Sequence, residues 1–223
     1  MRSSKGPVQD IQDVLHWETV HKTDFKDEVD FLDSILIQCG VLPEDIPMFL
    51  KPDKSCLRDP MTMQNMDRAV KLVHKVLQKP EPRIFLKVDC DPDGFSSAAV
   101  FLQFILAICP GAKFTWQLNY HKIHGLEYKN LTEYTKDEFD LIVSPDASMT
   151  VKDARMITRN YSAPILVLDH HLVTVEKEDL ETGRWLTDKE AQELLDKDPD
   201  RVKFDDYTNY CVAVNCHDGR YLN

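Results

Sequence analysis

Apolar and polar positions divide the chain into two regimes. In the first, residues up to Asp24 give little pattern, and Lys26–Cys39 then places Val29, Leu32, Ile35 and Leu36 at helical spacing before Gly40. Leu42 to Pro60 carries Pro43, Pro47, Pro52 and Pro60 and reads as an extended loop with short helical turns. Asn65–Gln78 is a stronger helix: Met66, Ala69, Val70, Val73, Val76 and Leu77 share one face, and Lys79-Pro80 closes it. Both stripes are expected to pack into a core.

From Arg83 the pattern alternates. Ile84–Val88, Lys113–Leu118, Asp140–Ser144, Pro164–Leu168 and Tyr210–Val214 read as short apolar strands. Ser96–Ile108, Thr150–Asn160 and Thr187–Asp196 read as helices between them. Such alternation predicts an α/β fold: a mostly parallel five-stranded sheet with helices on both faces, preceded by a helical segment. The expected organisation is a helical part over 1–80 packing on a catalytic domain over 81–223.

Composition narrows this little. The chain has 223 residues, 43% hydrophobic and 29% charged, as in ordinary globular proteins. Its longest apolar run, Ala98–Cys109, is interrupted by Gln103 and ends at Pro110, too short to span a membrane. MRSSKGPVQD lacks the apolar centre of a secretion signal, and the six cysteines form no CxxC pair, which together point to a reducing cytoplasm. A formal net charge of −11 argues against binding nucleic acid through phosphate neutralisation. However, Glu176–Asp206 holds twelve acidic and six basic residues, over half of that net charge. Trp116 and Tyr120 could stack on bases, but Trp116 lies in an apolar strand and is expected in the core.

The chemistry gathers at strand ends. The first strand runs into Asp89-Cys90-Asp91-Pro92-Asp93-Gly94, the third ends at Ser144-Pro145-Asp146, and the fourth at Asp169-His170-His171. In a parallel sheet these ends lie on one edge, where α/β sites form. If the first strand persists, Asp89 and Asp91 leave one face roughly 6–7 Å apart. Carboxylates with imidazoles suit Mn²⁺, Zn²⁺, Fe²⁺ or Co²⁺; carboxylates alone suit Mg²⁺ or Ca²⁺. Asp89-x-Asp91-x-Asp93-Gly94 also matches the first half of a calcium loop, but Val100 stands where that loop needs Glu and a strand precedes it. Singly, each aspartate reads as a helix cap and the His-His pair as surface. Their joint placement at three strand ends favours a metal site.

These three stretches resemble the motifs of the DHH phosphoesterase superfamily, most closely its RecJ-type single-strand-specific exonucleases and their phage versions. Leu57-Arg58-Asp59-Pro60 through Asn65–Val70, Lys122-Ile123-His124-Gly125-Leu126, and Asn215–Asn223 are similar to further segments of that subgroup. The likeness covers about 25–223, with Leu222 where a proline is common. It implies hydrolysis of phosphodiesters by two metal ions, usually Mn²⁺ with Mg²⁺ as substitute, held about 3.5–4 Å apart. It assigns Asp89 and Asp91 to one ion, Asp93 and His170 to the other, and Asp146 to both. His171 would contact the scissile phosphate, Asp169 would orient a histidine, and His124 and Gly125 would meet substrate. Single-stranded DNA degraded from its 5′ end, replication or repair partners, and the cytoplasm of a bacterium or phage-infected cell follow as expectations.

The likeness carries two departures. The family's fourth motif, a Ser-Gly-x-Gly segment followed by an aspartate, would begin just after Asn223, so the chain is expected to be the N-terminal part of such an enzyme. Thr174–Asp206 is longer than the family's usual connection and reads as a solvated acidic insertion around one helix. Two other functions stay open: a phosphoesterase for small molecules or short oligonucleotides, and a non-catalytic replication or repair module. Substrate length separates the first from an exonuclease, and metal titration separates the second.

Overall fold

The computed structural model describes residues 28–57, 59–119 and 125–216. The chain divides into two compact units, Met1–Arg58 and Asp59–Asn223. In the first, α1 (Glu28–Gln38) matches the expected helix and is followed by short turns and by α2 (Ile46–Leu50). Within this unit its stripe is not covered: Leu32 and Ile35 are exposed. Among the described residues of this unit only Ile46 is buried. So small a unit has little interior in which to hide an apolar face.

The second unit carries the sheet. Its elements are α3 (Met66–Val76), β1 (Arg83–Val88), α4 (Pro92–Ile108), β2 (Lys113–Leu118), β3 (Leu141–Pro145), α5 (Val151–Asn160) and β4 (Ile165–Asp169). An insertion follows, and β8 (Val212–Asn215) completes the sheet. The five strands are all parallel in the order β2-β1-β3-β4-β8. The fold is the α/β class expected from the alternating pattern.

Side chains alternate between two cores, as a period of two requires. Ile84, Leu86 and Val88 of β1, Leu141 and Val143 of β3, and Leu166 of β4 pack with α3 and α4 through Ala69, Val76, Ala98 and Ile105. Phe85, Ile142, Ile165 and Val167 pack on the opposite face with Ala154 and Ile157 of α5 and with Tyr161 just after it. Each buried aliphatic side chain contributes about 1.5–3 kcal/mol. From β1 the chain crosses through α4 to β2 on one side, and from β3 through α5 to β4 on the other. Crossovers of one hand running in opposite directions put their helices on opposite faces. Between β1 and β3 the winding therefore reverses, leaving a crevice at their carboxyl ends.

Two expectations need correction. Trp116 is 61% exposed rather than in the core, because β2 is an edge strand and nothing among the described residues covers that position. The stretch after β4 is not a solvated insertion around one helix. It folds as an antiparallel sheet, β6 (Trp185–Leu186), β5 (Glu176–Asp179) and β7 (Val202–Asp205), with α6 (Asp188–Leu195) beside it. Arg155 of α5 docks this sheet: Nη2 lies 2.8 Å from Glu178 and 2.6 Å from Asp205, Nε donates to the Tyr210 hydroxyl at 2.7 Å, and the guanidinium sits over the Trp185 ring. The strands escape a hydrophobic pattern because they are short and β5 reads Glu-Lys-Glu-Asp.

Candidate metal centre

β1 delivers its carboxylates to the crevice differently from an extended strand. Pairing ends at Val88, and Asp91 caps α4, its Oδ1 accepting the Gly94 N–H at 3.0 Å with Pro92 in the first helical turn. The helix therefore starts four residues before the predicted Ser96. Asp91 and Asp93 lie at its N-terminus, where aligned peptide dipoles stabilise negative charge. Gly94 is required by space: a Cβ there would stand 2.7 Å from the Asp89 Cβ and 2.8 Å from its carbonyl oxygen.

Asp146 follows β3 with φ of 60°, a left-handed backbone unusual for a residue with a side chain. Its N–H is bonded to the Leu168 carbonyl at 2.7 Å, and Ser144 Oγ donates to the Ala147 carbonyl at 2.8 Å, so the turn is held from within. The side chain is buried and its Oδ2, like Asp169 Oδ2, has no hydrogen-bond partner among the described residues. Burial pushes the carboxyl up, Asp93 and Asp91 add to this, and His170 and His171 oppose it.

At the end of β4, Asp169 Oδ1 accepts the N–H groups of His170 at 2.8 Å and His171 at 3.2 Å, and faces His171 Nδ1 at 2.7 Å. His171 Nδ1 is thereby committed and Nε2 is left for the site. The bond to Asp169 raises the His171 pKa, against a smaller opposing effect of burial. The His170 ring lies beside that of His171, centroids 4.6 Å apart, with Nε2 at 2.9 Å from Asp146 Oδ1 and 3.5 Å from Asp93 Oδ2.

Two groups of ligand atoms result. Asp91, Asp93 and Asp146 form one, Asp146, His170 and His171 the other, each with atoms within 4.8 Å of one another. Asp146 belongs to both. Asp89 and Asp169 lie against these groups without joining them; Asp89 is 0% exposed and its Oδ1 takes the Cys90 N–H at 2.9 Å. Gly125 lies near the end of β2, with its carbonyl 3.3 Å from Asn119 Nδ2; His124 lies outside the described residues.

Two buried polar residues, Asn119 and Lys87, are new to the site, and Asn215, which opens the family-like stretch Asn215–Asn223, gains a place in it. Asn119 follows β2 and donates to Asp89. Asn215 ends β8 and donates to the His171 carbonyl at 2.8 Å; it is fully buried, with its neighbour Tyr207 behind it. Lys87 is 1% exposed and donates to Gln117 Oε1 at 3.3 Å; burial lowers its pKa while Glu127 and Asp89 oppose that. The strand-end rule that selected Asp146 also selects Asn119 and Asn215, since both stand at the same edge.

Fold and site together define a parallel α/β protein with a carboxylate–imidazole cluster at its switch point. No family model matches the sequence. The chain is similar to a Bacillus subtilis protein named "Putative SPbeta prophage-derived single-strand DNA-specific exonuclease YorK" and to its counterpart in Bacillus phage SPbeta, each 28% identical over 142 residues. The match covers 64% of this chain and 23% of either relative, so only a minor part of their length is spanned. No helix among the described residues is long and apolar enough to cross a membrane.

Proposed function

We propose that this chain forms part of a metal-dependent phosphodiesterase that degrades single-stranded DNA from a 5′ end, with two Mn²⁺ ions as cofactors. The observation that carries the reading is Asp146, shared by both ligand groups and holding one buried oxygen that has no partner among the described residues. A left-handed backbone and an unsatisfied buried acceptor are each costly, and a divalent cation between the groups would satisfy the latter. Asp91, Asp93, Asp146 and His170 would hold the ions, a donor mixture that suits Mn²⁺. Bound there, such ions polarise a phosphate and lower the pKa of water.

The protein groups have separate tasks. Asp146 draws the two halves of the site together, and His170 faces both Asp146 and Asp93. Asp169 holds His171 by Nδ1, so that its other nitrogen can face a phosphate oxygen and, with the raised pKa, offer it a proton or positive charge. Gly125, with His124 before it, would border the substrate path. The relatives' name supports single-stranded DNA as substrate, and their prophage and phage origin supports a place in phage or host DNA replication or repair.

The test is Mn²⁺-dependent hydrolysis of 5′-labelled single-stranded DNA by the full chain and by Asp146→Ala. Turnover that vanishes in the variant upholds the reading, and equal turnover in both sinks it. Faster cleavage of dinucleotides than of long strands would transfer the site to a small-molecule phosphoesterase.

A further inference from the structure

At the inner end of the site, β2, the turn after β1 and the start of α4 are locked together around Asp89. The Asn119 N–H donates to the Val88 carbonyl at 3.0 Å, extending the β1–β2 ladder past its last strand pair. Its side-chain Nδ2 reaches Asp89 Oδ1 at 3.2 Å and the Gly125 carbonyl at 3.3 Å. Asp89 Oδ1 thus takes two N–H groups, one from Asn119 and one from Cys90. From the other side, Gly94 sits so close to Asp89 that no Cβ fits between them. Asp89 is wholly buried and lies outside both ligand groups.

A carboxylate removed from water needs donors around it. Asp89 has them from its own turn and from the neighbouring strand, and its buried neighbour Lys87 exerts a favourable charge on it. Its geometry mirrors Asp169, which also accepts the N–H of the residue after it and holds a group that does face the site. We propose that Asp89 is a positioning residue and not an ion ligand, and that Asn119 acts through it to hold the Asp91–Asp93 turn. The inference rests on the metal reading above and departs from the ligand role that the family likeness implies for Asp89. Asn119 also ties the Gly125 carbonyl to this same carboxylate.

The experiment is calorimetric titration of the metal-free full chain with Mn²⁺, with thermal midpoints recorded in EDTA. Asp89→Asn keeps an oxygen that accepts both N–H groups, and it should bind the wild-type number of ions. Asn119→Ala should also keep that number and weaken affinity about ten- to a hundred-fold, the usual effect of removing an outer partner of a metal site. Asn119→Ser, which retains a donor, should fall between it and wild type. Asp91→Asn should lose an ion. Loss of an ion in Asp89→Asn, or unchanged affinity in a folded Asn119→Ala, overturns the proposal while leaving the metal reading intact. Absence of Mn²⁺ binding by the wild type overturns both. If the Asn119 variants do not fold, the ion count of Asp89→Asn decides alone.

Discussion

His170 Nε2 lies 2.9 Å from Asp146 Oδ1, joining the turn after β4 to the turn after β3. The two residues are far apart in sequence, and their strands are neighbours in the sheet. The contact turns three strand-end motifs into one site, because Asp146 also belongs to the group formed by Asp91 and Asp93.

Asp146→Asn should raise the stability of the metal-free protein while abolishing hydrolysis. The substitution removes a charge repelled by Asp91 and Asp93, and asparagine tolerates the left-handed backbone. A gain of about 1 kcal/mol, a few degrees in thermal midpoint, is expected in EDTA. Mn²⁺ should raise the midpoint of the wild type and not of the variant. A lower midpoint for the variant in EDTA would contradict the account.

Asp169→Asn should lower kcat about a hundred-fold with a smaller effect on KM. The variant keeps an oxygen for the backbone N–H groups but loses the charge that holds and raises His171. NMR titration of the His171 ring should show its pKa falling in the variant. An unmoved titration would remove Asp169 from that role.

Gly94→Ala should disrupt the site from beneath. The added methyl meets the Asp89 side chain and carbonyl at distances no Cβ tolerates, and the start of α4 would have to shift. A loss of about 1–3 kcal/mol is expected by denaturant melts, together with weaker Mn²⁺ binding. Ala substituted at exposed Ser96, two residues on, is the control and should change neither.

Asp140 supplies an acid-dependent contribution at the opposite edge of the sheet. Burial pushes its carboxyl up, but Lys79 at 2.6 Å and the backbone and guanidinium of Arg83 more than reverse this and hold it at about 2. The folded value lies below the ordinary 3.8, so the stabilisation is present above that pH and lost as pH falls through about 2. Both cations are half-exposed, which limits the contribution to about 1 kcal/mol. Asp140→Asn should be less stable than wild type by that amount at pH 7, with the difference shrinking below about pH 4 and vanishing below about pH 2. A constant difference across that range would refute the assignment.

Arg155→Ala should release the small sheet. It removes the guanidinium from Asp205 and opens the contact with Trp185; because Lys203 still pairs with Asp205 at 2.9 Å, a loss of about 1.5–3 kcal/mol is expected. Hydrogen exchange should show faster opening over 176–205, with β1 and β3 protected as before. Equal rates throughout would mean that the sheet is held otherwise.

Much of the main sheet was legible because its cause is local. Five apolar runs in β1, β2, β3, β4 and β8 each begin and end within two residues of the expected bounds. A strand buried on both faces needs apolar side chains in succession, and that need shows in any short window. The small sheet was illegible for the converse reason. β5 draws its stability from antiparallel partners and from Arg155, and its own composition resembles a solvated stretch. The stripe of α1 and Trp116 misled in the same way: an apolar residue signals what it prefers, while its cover depends on a neighbour.

The sequence by itself determined which groups meet at the carboxyl edge, since parallel strands ending in Asp89–Gly94, Asp146 and Asp169–His171 can only bring those ends together. Only the tertiary structure decided how they divide. Asp91 turns away from strand geometry to cap α4, Asp89 sinks beneath Gly94 and bonds to Asn119, and Asp146 stands between two ligand groups. Strand ends follow from local side-chain patterns. Which carboxylate faces the crevice and which faces the interior depends on contacts between β2, β3 and α4, and those contacts exist only once the sheet has closed around them.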